Sequence, residues 1–132
     1  MKVVLDSNVI IAAFAARGLC ADLFEHCLYE QTIILSKAIL EEIKGNLSKK
    51  IKVPKAKIND VIKLLSVQTE IVNPVNLPKD TCRDSNDPMV IGTALSGQAN
   101  VIVTGDTDLL SLKKFKSIQI LTPRGFWEVI RK

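Results

Sequence analysis

The sequence predicts an α/β fold, a parallel sheet covered by helices on both faces. Short runs of β-branched and apolar residues alternate with longer amphipathic stretches. The apolar runs are continuous, as in strands buried on both faces. Right-handed crossovers between parallel strands then place the helices over the sheet. At 132 residues and 47% hydrophobic content, with a mean hydropathy of +0.20, the chain suits a single domain, residues 1–132, with a sizeable core.

The elements follow in order. Residues 3 to 6 form the first strand, ended by Asp6. Helices are expected over 8–16 and 19–30, parted by Gly18, the second with Leu19, Leu23, Phe24, Cys27 and Leu28 on one face. A strand over 32–35 leads to Ser36, an N-cap for a helix to about residue 48 with Ile39, Leu40, Ile43 and Leu47 as its core stripe. Pro54 opens a basic amphipathic helix to about residue 68, and residues 70 to 72 make a short third strand. The stretch 73–82, with Pro74 and Pro78, is a loop. Asp87-Pro88 opens a helix running to Gly97, with Asp as N-cap and Pro at the first helical position. Strands at 101–104 and 118–121 and a helix at about 123–130 complete a five-stranded parallel sheet.

Charge and cysteine usage narrow the function. The net charge is +4, yet acids gather at the strand ends, so the basic excess lies elsewhere. Lys44, Lys49, Lys50, Lys52, Lys55, Lys57 and Lys63 face a single acid, Asp60, and Lys113, Lys114 and Lys116 form a second cluster. Each cluster is either a solvated helix face or a surface for a polyanion. Cys20, Cys27 and Cys82 form no C-x-x-C pair, and the first two are about 10 Å apart along one helix, so reduced, buried thiols are expected. His26 is the only histidine, which leaves no material for a zinc centre or a His-based triad. No apolar run reaches the length of a membrane span, and a cytoplasmic location is expected.

Asp6, Asp87 and Asp106 each stand where an apolar segment meets a turn or a helix start. In an open parallel sheet such boundaries converge outside the carboxyl ends of the strands. Gathered carboxylates repel by about 2 to 3 kcal/mol per pair at about 6 Å and an effective dielectric near 20, and protonation or a bound cation relieves this. Oxygen-only ligands suit Mg²⁺ or Mn²⁺, whose use at a phosphodiester is to activate water and neutralise developing charge. Each acid also has a duller reading. Asp6 and Asp87 are good N-caps, with Ser7 and Asn8 competing for the first cap, and Asp106 and Asp108 follow Gly105 in a way that suits a turn. Glu41 and Glu42 both lie off their helix's apolar stripe, and the helical wheel barely separates them. Ser7, Asn8, Ser36 and Thr104 adjoin the acids as short polar groups suited to orienting a carboxylate or water.

Four motifs in order carry a family resemblance. They are Val4-Leu5-Asp6-Ser7-Asn8, then Leu35-Ser36 followed by Glu42, then Arg83-Asp84-Ser85-Asn86-Asp87, then Val103-Thr104-Gly105-Asp106-Thr107-Asp108-Leu109-Leu110. Together they resemble the PIN-domain family of metal-dependent ribonucleases, over nearly the whole chain. Thr122-Pro123-Arg124-Gly125-Phe126 is similar to the subgroup of toxins from prokaryotic toxin–antitoxin pairs. The resemblance implies a three-layer α/β/α, Rossmann-like fold. It further implies Asp6, Glu42, Asp87 and Asp106 as the catalytic and metal-holding quartet, favours Glu42 over Glu41, and adds Asp108 and Asp84 as auxiliary acids. Val90 stands where that subgroup often has Phe.

The expected activity is Mg²⁺- or Mn²⁺-dependent hydrolysis of RNA, with Lys49, Lys50 and Lys52 on the RNA backbone and an antitoxin protein as partner. Self-association into a homodimer stays open. The competing reading is a non-catalytic nucleic-acid or protein interaction module on the same fold, which loss of an acid would have favoured. A phospho-accepting receiver domain fails on placement, because the third strand runs into Asn73-Pro74 where an accepting Asp is needed.

Overall fold

The apolar runs and helix caps produce elements close to the expected boundaries. The computed structural model describes residues 1–77 and 87–131, with Asp87 described by its backbone. In chain order these are β1 (Lys2–Leu5), α1 (Ser7–Ala15), α2 (Leu19–Glu30), β2 (Thr32–Ser36), α3 (Lys37–Lys49), α4 (Lys55–Gln68), β3 (Glu70–Val72), α5 (Asp87–Ser96), β4 (Val101–Val103), α6 (Thr107–Ser111), β5 (Lys114–Phe115), β6 (Ile118–Leu121) and α7 (Pro123–Ile130). The N-cap of α1 is Asp6 rather than Ser7 or Asn8. The described residues contain no single helix long and apolar enough to cross a membrane.

The sheet runs β3-β2-β1-β4-β6-β5. The five strands expected from the sequence are present and mutually parallel. A sixth, β5, pairs antiparallel with β6 through Phe115 and Ile118. Two residues are too few to show a strand period, so β5 left no pattern in the sequence. It is framed by Lys113 and Lys116, both at positive φ, and these with its own Lys114 suit an edge strand, where charge discourages further pairing.

Strand order reverses between β1 and β4. From β1 the chain steps outward through β2 to β3, and from β4 it steps the opposite way to β6. With right-handed crossovers, α1 to α4 cover one face and α5 with α6 the other. α7 returns to pack on α2. Val3, Val4, Leu5, Ile33, Ile34, Leu35, Ile102 and Val103 of the central strands are all but fully buried between these layers. Cys27 joins this core, where burial pushes its thiol up to about 12, and Cys20 is raised by the same cause. Both are free thiols, Cys27 buried as expected and Cys20 only half-buried; Cys82 lies outside the described residues.

The end of α5 shows two residues exchanging roles. The Ala99 N–H donates to the Ala94 carbonyl at 2.8 Å and the Gln98 N–H to the Leu95 carbonyl at 3.2 Å, the paired bonds of a Schellman motif. The left-handed residue that motif needs is Gln98, at φ 56°, not the preceding glycine. Gly97 is required for packing instead, because a Cβ there would strike the Ile34 side chain on β2. Gln98→Gly is therefore expected to raise stability by about 1 kcal/mol by removing the left-handed penalty. Gly97→Ala is expected to lower it by about 1 to 3 kcal/mol through overpacking. Urea unfolding of both variants checks the pair, and a stabilised Gly97→Ala contradicts the assignment.

Candidate functional site

Parallel register sets a row of polar residues along one edge of the sheet. Leu5 pairs with Val103 across β1 and β4, so Asp6 and Thr104, one residue on, leave the sheet side by side. Val4 pairs with Ile34 on β2, so two residues on Ser36 stands beside Asp6, and Val103 pairs with Leu121 on β6, so one residue on Thr122 stands beside Thr104. The row lies at the carboxyl ends of the strands, and its middle pair straddles the switch in strand order, where open α/β sheets bind ligands.

Asp6 is 7% exposed and Thr104 fully buried, so their polar atoms need partners. One carboxylate oxygen of Asp6, Oδ1, accepts the Ser7 N–H at 2.8 Å. The other, Oδ2, accepts the Thr104 hydroxyl at 2.7 Å. Thr104 Oγ1 in turn accepts the Asp106 N–H at 3.0 Å. One hydroxyl thus joins the acid ending β1 to the acid following β4. Asp6 both caps α1 and takes part in this link, so capping and site membership are not alternatives.

Asp106 caps α6, a short helix where the sequence also suited a turn. Its Oδ1 accepts the Asp108 N–H at 2.9 Å, and among the described residues its Oδ2 takes no hydrogen bond. Asp106 and Asp108 are both half-buried. Five residues make too short a helix to carry a periodic signal, and Asp-Thr-Asp suits a turn equally well.

α3 and α5 flank the edge from opposite sides. Ser36 caps α3, accepting the Ile39 N–H at 3.3 Å, and its hydroxyl faces the Met89 sulfur at 3.7 Å. Thr93, fully buried, donates to the Met89 carbonyl at 2.8 Å. The first turn of α5 is thereby held against the end of β2, and Asp87 stands two residues before Met89, at the first position of α5. On α3, Glu42 is half-buried while Glu41 is exposed. Ser7 is buried and Asn8 exposed.

Of the expected set, Asp6, Asp106, Thr104, Ser7 and Ser36 are brought into one hydrogen-bonded or register-aligned edge, with Asp108 beside them. Asp84 lies outside the described residues, and Asp87 enters by its backbone alone. Among the described residues no three Asp, Glu, His or Cys side chains form a group that could hold a metal ion. His26 is elsewhere, 6.4 Å from Trp127 in an edge-on ring contact. Sequence reasoning did not single out Met89 and Thr93, and named Thr122 only within its motif; strand pairing places Thr122, and the contact of α5 with Ser36 places the other two. Lys49, Lys50 and Lys52 are exposed, at and just beyond the end of α3, and make no ion pair among the described residues.

The family profile described as PIN domain matches residues 2–108. Solved structures share the fold at low identity. VapBC-1 from nontypeable Haemophilus influenzae aligns with a TM-score of 0.64 at 18% identity, over 94% of this chain and 99% of that one. VapBC2 from Rickettsia felis, bound to a DNA fragment from its promoter, aligns with a TM-score of 0.62 at 18% identity, over 91% and 97%. FitAcB from Neisseria gonorrhoeae aligns with a TM-score of 0.59 at 14% identity, over 92% and 98%. No curated protein sequence matches.

The hydroxyl link makes a specific demand on Thr104. Thr104→Val keeps the shape but leaves the Asp6 carboxylate short of a donor and the Asp106 N–H short of an acceptor. A loss of about 1 to 3 kcal/mol is expected by urea unfolding, with Thr104→Ser recovering most of it. A Thr104→Val protein as stable as the parent sinks the proposed link.

Proposed function

The chain belongs to the PIN-domain family, and from that premise we propose that it is a Mg²⁺- or Mn²⁺-dependent endoribonuclease acting as the toxin of a toxin–antitoxin pair. The observation that carries the reading is the Thr104 hydroxyl joined to Asp6 and Asp106 across the switch in strand order. It supports two acids held at the position where an open sheet receives a ligand.

In this reading Asp6, Glu42, Asp87 and Asp106 hold the metal, with Asp108 and Asp84 as auxiliaries. The donor set fits a hard cation. Every candidate ligand offers oxygen, no His or Cys stands among them, and Asp106 keeps Oδ2 available while Oδ1 is committed to its own helix. Mg²⁺ or Mn²⁺ bound there would supply a more acidic water and charge neutralisation at the scissile phosphate.

The chain's own residues do the positioning. Thr104 and the Ser7 N–H fix both oxygens of Asp6, so the carboxylate needs no reorganisation on meeting its ligand. The Asp108 N–H fixes Asp106 in the same way. Ser36 and Met89 set the first turn of α5, and with it Asp87, against the sheet edge. No side chain is asked to act as a nucleophile. Lys49, Lys50 and Lys52 take phosphates of the bound strand, which makes binding salt-dependent. An antitoxin partner is supported by the likeness of Thr122 to Phe126 to that toxin subgroup, and by a fold shared with VapBC and FitAcB structures.

Cleavage of RNA by the pure protein is expected to need Mg²⁺ or Mn²⁺ and to stop in EDTA, and undiminished cleavage in EDTA sinks the metal mechanism. Asp6→Asn should lose at least about 10- to 100-fold in activity, the range seen for weaker perturbations of metal sites. Asp87→Asn separates cap from ligand, since Asn caps as well as Asp but is a poorer ligand for a hard ion. In EDTA its melting temperature should equal or slightly exceed the parent's, because one member of a repelling group is neutralised. With metal added the parent should gain more than the variant. An equal gain, with parental cleavage, would make Asp87 a cap only.

A further inference from the structure

We propose that the bound RNA strand runs along one strip of α3, from Glu42 past Gly45 and Asn46 to Lys49, with Gly45 as the point where it approaches the helix backbone. The inference rests on the ribonuclease reading for the part played by Glu42. At 3.6 residues per turn these four positions fall within an arc of about 100°. Ile39, Ile43 and Leu47, the buried side of α3, lie off that arc. Within it Glu42, Gly45 and Asn46 are half-buried, whereas Glu41, Lys44 and Ser48 are exposed. The strip therefore borders the body of the protein rather than the solvent crest of the helix.

Gly45 is the unusual member. It sits in the middle of a helix of 13 residues, without a positive φ, where glycine weakens a helix relative to alanine. Among the described residues nothing calls for its missing side chain, since a Cβ there would meet none of their atoms within 4 Å. Gly92 and Gly97 are different, because a Cβ at either would strike Val75 or Ile34. Among the described residues nothing covers the bare backbone at Gly45, which leaves room for an occupant.

Charge favours a polyanion as that occupant. Lys49 stands two turns beyond Glu42, about 10 Å along the axis, a span of about three stacked nucleotides. It is exposed, makes no ion pair among the described residues, and is followed by Lys50, Lys52, Lys55 and Lys57. A helix of a partner protein would also use a bare glycine, but it has no need of this density of positive charge.

The test is equilibrium binding of a short labelled single-stranded RNA to the full chain, in Mg²⁺ and in EDTA. Gly45→Ala and Gly45→Leu are expected to melt at or above the parent's temperature. Gly45→Leu should weaken binding by about tenfold, the size of one lost base contact, and Gly45→Ala by less. Ser48→Leu, off the strip, should bind as the parent does. Lys49→Gln should reduce the slope of log affinity against log salt by about 0.7, one phosphate on a single strand. A folded Gly45→Leu protein that binds RNA like the parent overturns the track and leaves the strip to a protein partner. Should Gly45→Leu melt below the parent, an unchanged salt slope for Lys49→Gln overturns it instead. Binding without cleavage by the parent sinks the ribonuclease reading while the track stands. Cleavage with Gly45→Leu unaffected sinks the track alone, and a parent that neither binds nor cleaves in either buffer sinks both.

Discussion

Pairing of β1 with β4 is the constraint on which the site depends. Leu5 opposite Val103 leaves Asp6 and Thr104 adjacent at the point where both strands end, and the Thr104 hydroxyl then has an acid on one side and the Asp106 N–H on the other. A slip of one residue would turn each side chain to the other face of the sheet and dissolve the row. The register is held by burial, because Val3, Val4, Leu5, Ile102 and Val103 are within a few per cent of full burial. The hydrophobic core thus fixes polar geometry that the polar residues alone could not hold.

α5 is placed by close contacts along its length, and these decide where Asp87 stands. At its start Met89 meets Ser36. In its middle Gly92 lets the backbone of Val75 lie against the helix, and the Val75 N–H donates to the Gly92 carbonyl at 3.0 Å. At its end Gly97 admits Ile34. Three contacts spaced along ten residues restrict sliding and tilting, as an acid supplied from a helix terminus requires. Stability is given up at Gln98, a left-handed residue with a side chain, so that glycine can stand one position earlier, where packing needs it.

The charge distribution divides the molecule in a way the net figure hides. Asp6, Asp106 and Asp108 gather at the sheet edge, while the lysines of α3 and α4 extend away along the helices. Among the described residues one ion pair is formed, Lys2 with Glu70 at 3.9 Å, and it is exposed enough to matter little. The lysines are therefore not consumed in holding the fold together. That leaves their charge available to the steering and salt-sensitive binding that a nucleic-acid substrate calls for.

The sequence by itself determined the fold class, the five parallel strands and the long helices, because buried strands and amphipathic helices write their periods into short stretches of chain. It also marked Asp6, Asp87 and Asp106 as boundary residues, and the order of the four motifs named the family to which the chain belongs. Two short elements escaped it: β5, of two residues, left no period, and α6, of five, occupies a stretch after Gly105 that suits a turn equally well. Gly97 looked like a helix stop, yet its reason lies at Ile34, distant in the chain. Only the tertiary structure decided that β1 and β4 are neighbours, that Thr104 spans Asp6 and Asp106, and that Met89 rests on Ser36. Each of these joins residues separated by more than fifty positions, and local propensity carries no information about which distant strands will pair.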